Sequence, residues 1–247
     1  MTEPNVAPPA PAPAPEKAGL FEDFIDIVAS PAKVFERRTN ANAFVPYLIV
    51  CLLLIGLYYA SRNMMEPLMD AEMARRFEAM AKANPQMTPD VIDKAKAVGK
   101  VTAAWGVLVG IPIGLLLLSF CTWLVGKIYG GTLTYGTAVM ISSYAWIPKV
   151  LDSIARMAQG LLTDVTKLSS NYQLTFSAAR FLDPGKYSPP MLDLAGRADL
   201  FVIWTTVLLA IGLVTAGKVP RERGWMAGLT LFVIGSLTMI WGAIKGG

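Results

Sequence analysis

Five stretches of this chain run without a charged residue and are dominated by apolar side chains. Arg38 and Arg62 bracket the first, Lys100 and Lys127 the second, Lys127 and Lys149 the third, Asp199 and Lys218 the fourth, and Arg223 and Lys245 the fifth. Each holds 18 to 26 residues, and about 20 helical residues cross the hydrocarbon core of a bilayer. The pattern predicts an all-α, polytopic integral membrane protein with five transmembrane helices at about 43–60, 103–126, 134–156, 199–217 and 225–244. Tyr47, Tyr58 and Tyr59 stand on the first span where interfacial aromatic anchors belong.

The polar segments carry patterns of their own. In residues 20–38, Phe21, Phe24, Ile25 and Val28 recur at helical spacing while Glu22, Asp23 and Asp26 take the other side. Ser30-Pro31 then opens a second short helix bearing Val34 and Phe35. These pre-membrane helices are expected on the membrane surface or against the bundle. Residues 63–100 stay helical in pattern but turn polar, broken by Asn84-Pro85 and restarted at Thr88-Pro89. They predict an extramembrane helical hairpin between the first two spans. Residues 157–198 read as a loop with a short amphipathic piece around 168–182, ended by Pro184, Pro189 and Pro190. Residues 1–19 form a Pro/Ala-rich tail with no core to bury and neither the basic nor the apolar region of a signal peptide. The remainder, 39–247, is one membrane domain.

Composition agrees with lipid as the solvent. Apolar residues make up 54% and charged residues 16%, against about 25% charged in a soluble domain. The net charge of +4 is scattered and forms no basic stripe, so no nucleic-acid partner is expected. Histidine is absent, which removes the commonest general base and metal ligand. Cys51 and Cys121 lie within the first two spans and read as apolar fillers. With no nucleophile elbow, phosphate loop or metal spacing, no enzymatic activity, metal or cofactor is expected.

Two constellations stand out. Gly106, Gly110 and Gly114 share one face of the second span and mark a close helix contact, within the bundle or across a dimer; Pro112 should bend that helix. Gly224 and Gly228 repeat the spacing at the entry to the fifth span. Lys149, Asp152 and Arg156 follow Pro148 on one helix face and can pair. They form a candidate polar membrane site, or a ladder of charges that only ends the span. Met65, Met69 and Met73 share a face of the hairpin and read as adaptable packing rather than copper ligands.

Three segments together resemble the Yip-domain family, polytopic membrane proteins named for interacting with Ypt/Rab-type GTPases. They are the pre-membrane stretch from Ser30-Pro31 to Phe35, GGTLTYGTAVMISSYAWIP at 130–148, and DLFVIWTTVLLAIG at 199–212. The hairpin with Thr88-Pro89 ahead of the second span resembles bacterial members in particular. The resemblance implies five spans, a cytoplasmic N-terminus and residence in the bacterial cytoplasmic membrane. Arg37 and Arg38 beside the first span favour that orientation, whereas the raw count of Lys and Arg over all loops favours the reverse.

The leading functional expectation is a non-enzymatic scaffold or adaptor, with membrane lipid and other membrane proteins, or a second copy of the chain, as partners. The alternative is a small-solute channel, transporter or lipid-moving protein, with Pro112 and Pro148 opening a polar path past Lys149, Asp152 and Arg156. An intramembrane enzyme would need Asp152 and Asp199 to face each other.

Overall fold

The computed structural model describes residues 19–83, 89–164, 168 and 170–246. Among them the secondary structure is helical, with one isolated antiparallel bridge between Ser177 and Asp199 and no strand. Nine α-helices follow in order: α1 Leu20–Ala29, α2 Pro31–Arg38, α3 Phe44–Ala83, α4 Pro89–Ile128, α5 Tyr135–Ala145, α6 Ile147–Leu162, α7 Pro189–Ala195, α8 Leu200–Thr215 and α9 Arg221–Gly246. The turn expected at 84–88 and the tail at 1–18 lie outside the described residues.

Helices α3 and α4 contain 40 residues each. At 1.5 Å per residue each is about 60 Å long, twice a hydrocarbon core of about 30 Å. Both hold windows apolar enough to cross a membrane, with mean hydropathy 2.0 and 2.3, yet only 22% and 17% of those windows is buried in the protein. A core helix of a soluble protein would hide such a face. Here Leu52, Leu53, Leu117 and Phe120 are exposed, an arrangement that lipid satisfies and water does not. α8 is apolar but shorter than these two.

The interior is built where α8 meets α2, α5, α6 and α9 and where α3 meets α4, α5 and α6. Phe35 of α2 is fully buried. Its ring lies 3.2 Å from where a Cβ on Gly212 would sit, and Ile141 lies 2.6 Å from the same point. The missing side chain therefore lets α2 wedge against α5 and α8. Hydroxyls join helices elsewhere. Ser142 donates to Thr122 at 3.1 Å, Tyr47 to the Pro112 carbonyl at 3.2 Å, and Tyr129 pairs with Thr230 at 2.9 Å.

Three details differ from the sequence-based expectation. The third apolar stretch is not one helix: α5 ends at Ala145, and α6 restarts after Trp146 with Pro148 in its first turn. Proline lacks the N–H that would continue the ladder, so the break falls where one bond is already forfeited. Pro67, conversely, sits inside α3 without ending it. The segment after α6 holds two single 3-10 turns, Asn171–Leu174 and Ala178–Phe181, and the short helix α7 in place of one amphipathic piece. Finally, Ser30 occupies the N-cap position of α2 with no side-chain bond, although Pro31 takes the first helical position as expected.

Candidate functional site

The expected trio does assemble. Arg156 grips Asp152 with two parallel bonds, Nε to Oδ1 at 2.7 Å and Nη2 to Oδ2 at 2.9 Å. Lys149 Nζ stands 3.9 Å from the same carboxylate. Asp152 is 5% exposed, and a buried carboxylate requires this kind of pairing. Asp199 joins the group from the start of α8. Its Oδ1 accepts the backbone N–H groups of Phe201 at 2.9 Å and Val202 at 3.2 Å, capping the helix. Its Oδ2 is buried without a hydrogen bond among the described residues, with Arg156 Nη2 at 4.0 Å. Arg197 extends the cluster to α9, donating to Ser236 at 3.0 Å and lying 5.0 Å from the Phe232 ring centroid.

These charges fasten α6, α8 and α9 together. Arg156 reaches both Asp152 and Asp199, whereas two catalytic acids sharing a proton would face each other directly. Fewer than three His, Cys, Asp or Glu side chains converge anywhere among the described residues in a way that could hold a metal ion.

Two further networks were not anticipated. Near the N-terminus, Asp23 is fully buried and accepts from Arg37, Arg38 and Tyr144, whose hydroxyl lies 3.0 Å away. Thus Asp23 turns inward and Asp26 pairs with Arg37 while Glu22 stays exposed, and Phe21, Ile25 and Val28 face out with 80%, 58% and 48% exposure. Tyr144 was the available signal, because a phenol deep in an apolar run needs a partner for its hydroxyl. On the polar half of α3, Arg76 grips Asp193 of α7 at 2.9 and 3.1 Å, and the Tyr172 hydroxyl donates to the same carboxylate. Burial, reinforced by the bond to Asp193, pushes the Tyr172 hydroxyl up from its ordinary pKa, so it stays a donor. No sequence spacing links residues this far apart.

The glycine face behaves differently from its neighbours. A Cβ on Gly106 or Gly110 would meet nothing within 4 Å, and one on Gly114 would touch only Trp146 at 3.8 Å. Among the described residues, no other helix lies within contact of the first two. The close glycine contact falls at α8 and α9, where Gly228 sits 2.8 Å (from its would-be Cβ) from Ala210 and Gly224 abuts Val214.

A bundle of apolar helices with lipid-facing exteriors and its charges clustered between helix ends is a helical membrane protein. The comparisons narrow that class: the Yip1 domain model matches residues 25–243, and the chain belongs to that family. It is also similar to the membrane protein YknW of Bacillus subtilis (strain 168), with 25% identity over 225 residues covering 90% of this chain and 88% of that protein. No solved structure matches.

Proposed function

We propose that this protein is a five-span scaffold or adaptor of the bacterial cytoplasmic membrane, with its N-terminus in the cytoplasm and no catalytic activity. The spans would be α3 and α4 over their apolar halves, α5 with α6, α8, and α9. The observation that carries the reading is the braced arm. The polar half of α3 continues well beyond its apolar window, and Arg76 ties it to Asp193 and Tyr172 of the distant segment that includes α7. A braced projection offers a partner a fixed surface, which reduces the ordering cost of binding. The family membership and the likeness to a membrane protein support membrane residence.

The test is affinity capture of the full chain from membranes, compared with a variant in which residues 70–95 are replaced by a short Gly/Ser linker. The reading expects the captured membrane proteins to change. An identical set from both would sink the arm's role.

Lipid handling is the second reading, favoured by a half-open groove lined by Arg62 and Arg156 between α3, α4 and α6. Unlike a solute channel, a groove between helices needs no continuous polar path.

A further inference from the structure

We infer that the groove between α3, α4 and α6 is a binding site for one anionic phospholipid, its phosphate held by Arg62 and Arg156. The cavity is about 310 Å³, at the small end of the roughly 300–1,000 Å³ typical of ligand sites. That suits a headgroup and the first part of an acyl chain.

Its walls are graded. Arg62, Arg156 and Asn171 supply donors, and Leu54, Leu57, Val107 and Ile111 supply an apolar floor. Ser61 and Ser153 donate to backbone carbonyls of their own helices and offer only acceptor oxygens. Along α3 the order is Leu54 and Leu57, then Ser61 and Arg62, with Met65 and Met69 lining the groove beyond them. Arg62 ends the first charge-free stretch, and Leu54 lies eight residues earlier on the same helix, about 12 Å deeper. A phospholipid entering sideways from one leaflet presents the same order, phosphate first and hydrocarbon below. A free phosphate would have no use for the floor.

The two arginines have capacity to spare. Asp152 occupies Nε and Nη2 of Arg156, which fixes the guanidinium plane. Its Nη1 has no hydrogen bond among the described residues, and a guanidinium carries five donors. Arg62 has neither a hydrogen bond nor an ion pair among the described residues and is exposed. Because Asp152 already balances Arg156, the Arg62 charge is the one that selects an anionic headgroup over a zwitterionic one. Arginine forks match phosphate oxygens in geometry.

The inference rests on membrane residence but not on the scaffold role, so an unchanged capture experiment would leave it standing. The test is native mass spectrometry of the full chain in detergent with added phosphatidylglycerol, phosphatidylcholine or inorganic phosphate. One phosphatidylglycerol should be retained in preference to phosphatidylcholine. Arg62→Glu, a surface change that leaves the Asp152 pair intact, should weaken retention about ten-fold or more. Arg221→Glu, at an exposed arginine near another groove, should not. Ile111→Trp, filling the apolar floor, should displace the lipid as well. Equal retention by the wild type and Arg62→Glu overturns the site. Competition by millimolar phosphate, or equal retention of both lipids, overturns the assignment to an anionic phospholipid.

Discussion

Two buried carboxylate clusters hold this bundle, and they are finished to different degrees. Asp23 is enclosed by Arg37, Arg38 and Tyr144, and both of its oxygens are used; only Arg37 Nε is left there without a partner among the described residues. Asp152 and Asp199, with Arg156 between them, leave one carboxylate oxygen without a hydrogen bond and one guanidinium nitrogen unused among the described residues. The first cluster borders α1 and α2 and a smaller cavity of about 120 Å³ lined in part by Arg38 and Tyr144. The second opens toward a groove. A carboxylate bonded at both oxygens serves to fix geometry, whereas Arg156 keeps a guanidinium nitrogen that can still donate. The difference separates a structural clasp from a candidate site without recourse to sequence motifs.

Removing Asp23 should have the largest effect. Asp23→Ala leaves two guanidinium groups and a phenol short of their acceptor, and about 3–5 kcal/mol is typical when one partner of a buried ion pair is lost. Thermal unfolding in detergent should show it as a large fall in Tm. The comparison breaks if Asp23→Ala melts like the wild type.

Arg156→Met should cost less, about 2–3 kcal/mol, because Asp152 keeps Lys149 nearby and the Arg156 side chain is already 26% exposed. Restoration by the double substitution Arg156→Met with Asp152→Leu would show that the penalty is the orphaned carboxylate. A double variant as unstable as the single one would point instead to lost packing.

Smaller again is the contrast between glycines. Gly228→Ala places a methyl 2.8 Å from Ala210, and overpacking of this kind costs about 1–3 kcal/mol. Gly110→Ala meets nothing in the bundle and should be neutral or gain up to about 1 kcal/mol from helix propensity. If Gly110→Ala instead lowers Tm or shifts the oligomer seen by cross-linking, the open glycine face is a contact between copies. Arg221→Ala, at an exposed position, should change stability by less than about 0.5 kcal/mol.

The helices were legible because charge-free length and proline punctuation are local properties. Ser30-Pro31 marked the boundary between α1 and α2, and Pro89 the start of α4. The trio on α6 was legible for the same reason, since residues three, four and seven apart share a helix face. Gly106 and Gly110 show where that reasoning stops: spacing reveals a small face but not what lies opposite. Gly224 and Gly228 carry the same spacing, and there another helix does fill the space. Pro67 shows another limit, as a proline inside α3 is accommodated where Pro148 coincides with a break. Asp23, Arg76 and Arg62 acquire their roles only through neighbours far along the chain. The outward apolar face of α1 could not be assigned until Asp23 was seen to point inward.

The most direct test of the account is the sidedness of α3 and α9. With Cys51 and Cys121 replaced by alanine, single cysteines would be placed at Met80, exposed on the polar half of α3, and at Arg221, at the start of α9. A membrane-impermeant thiol reagent applied to sealed vesicles of known orientation should label one position and not the other. Labelling of both from the same side would contradict five spans, and with them the lipid-facing architecture on which the groove and the braced arm depend.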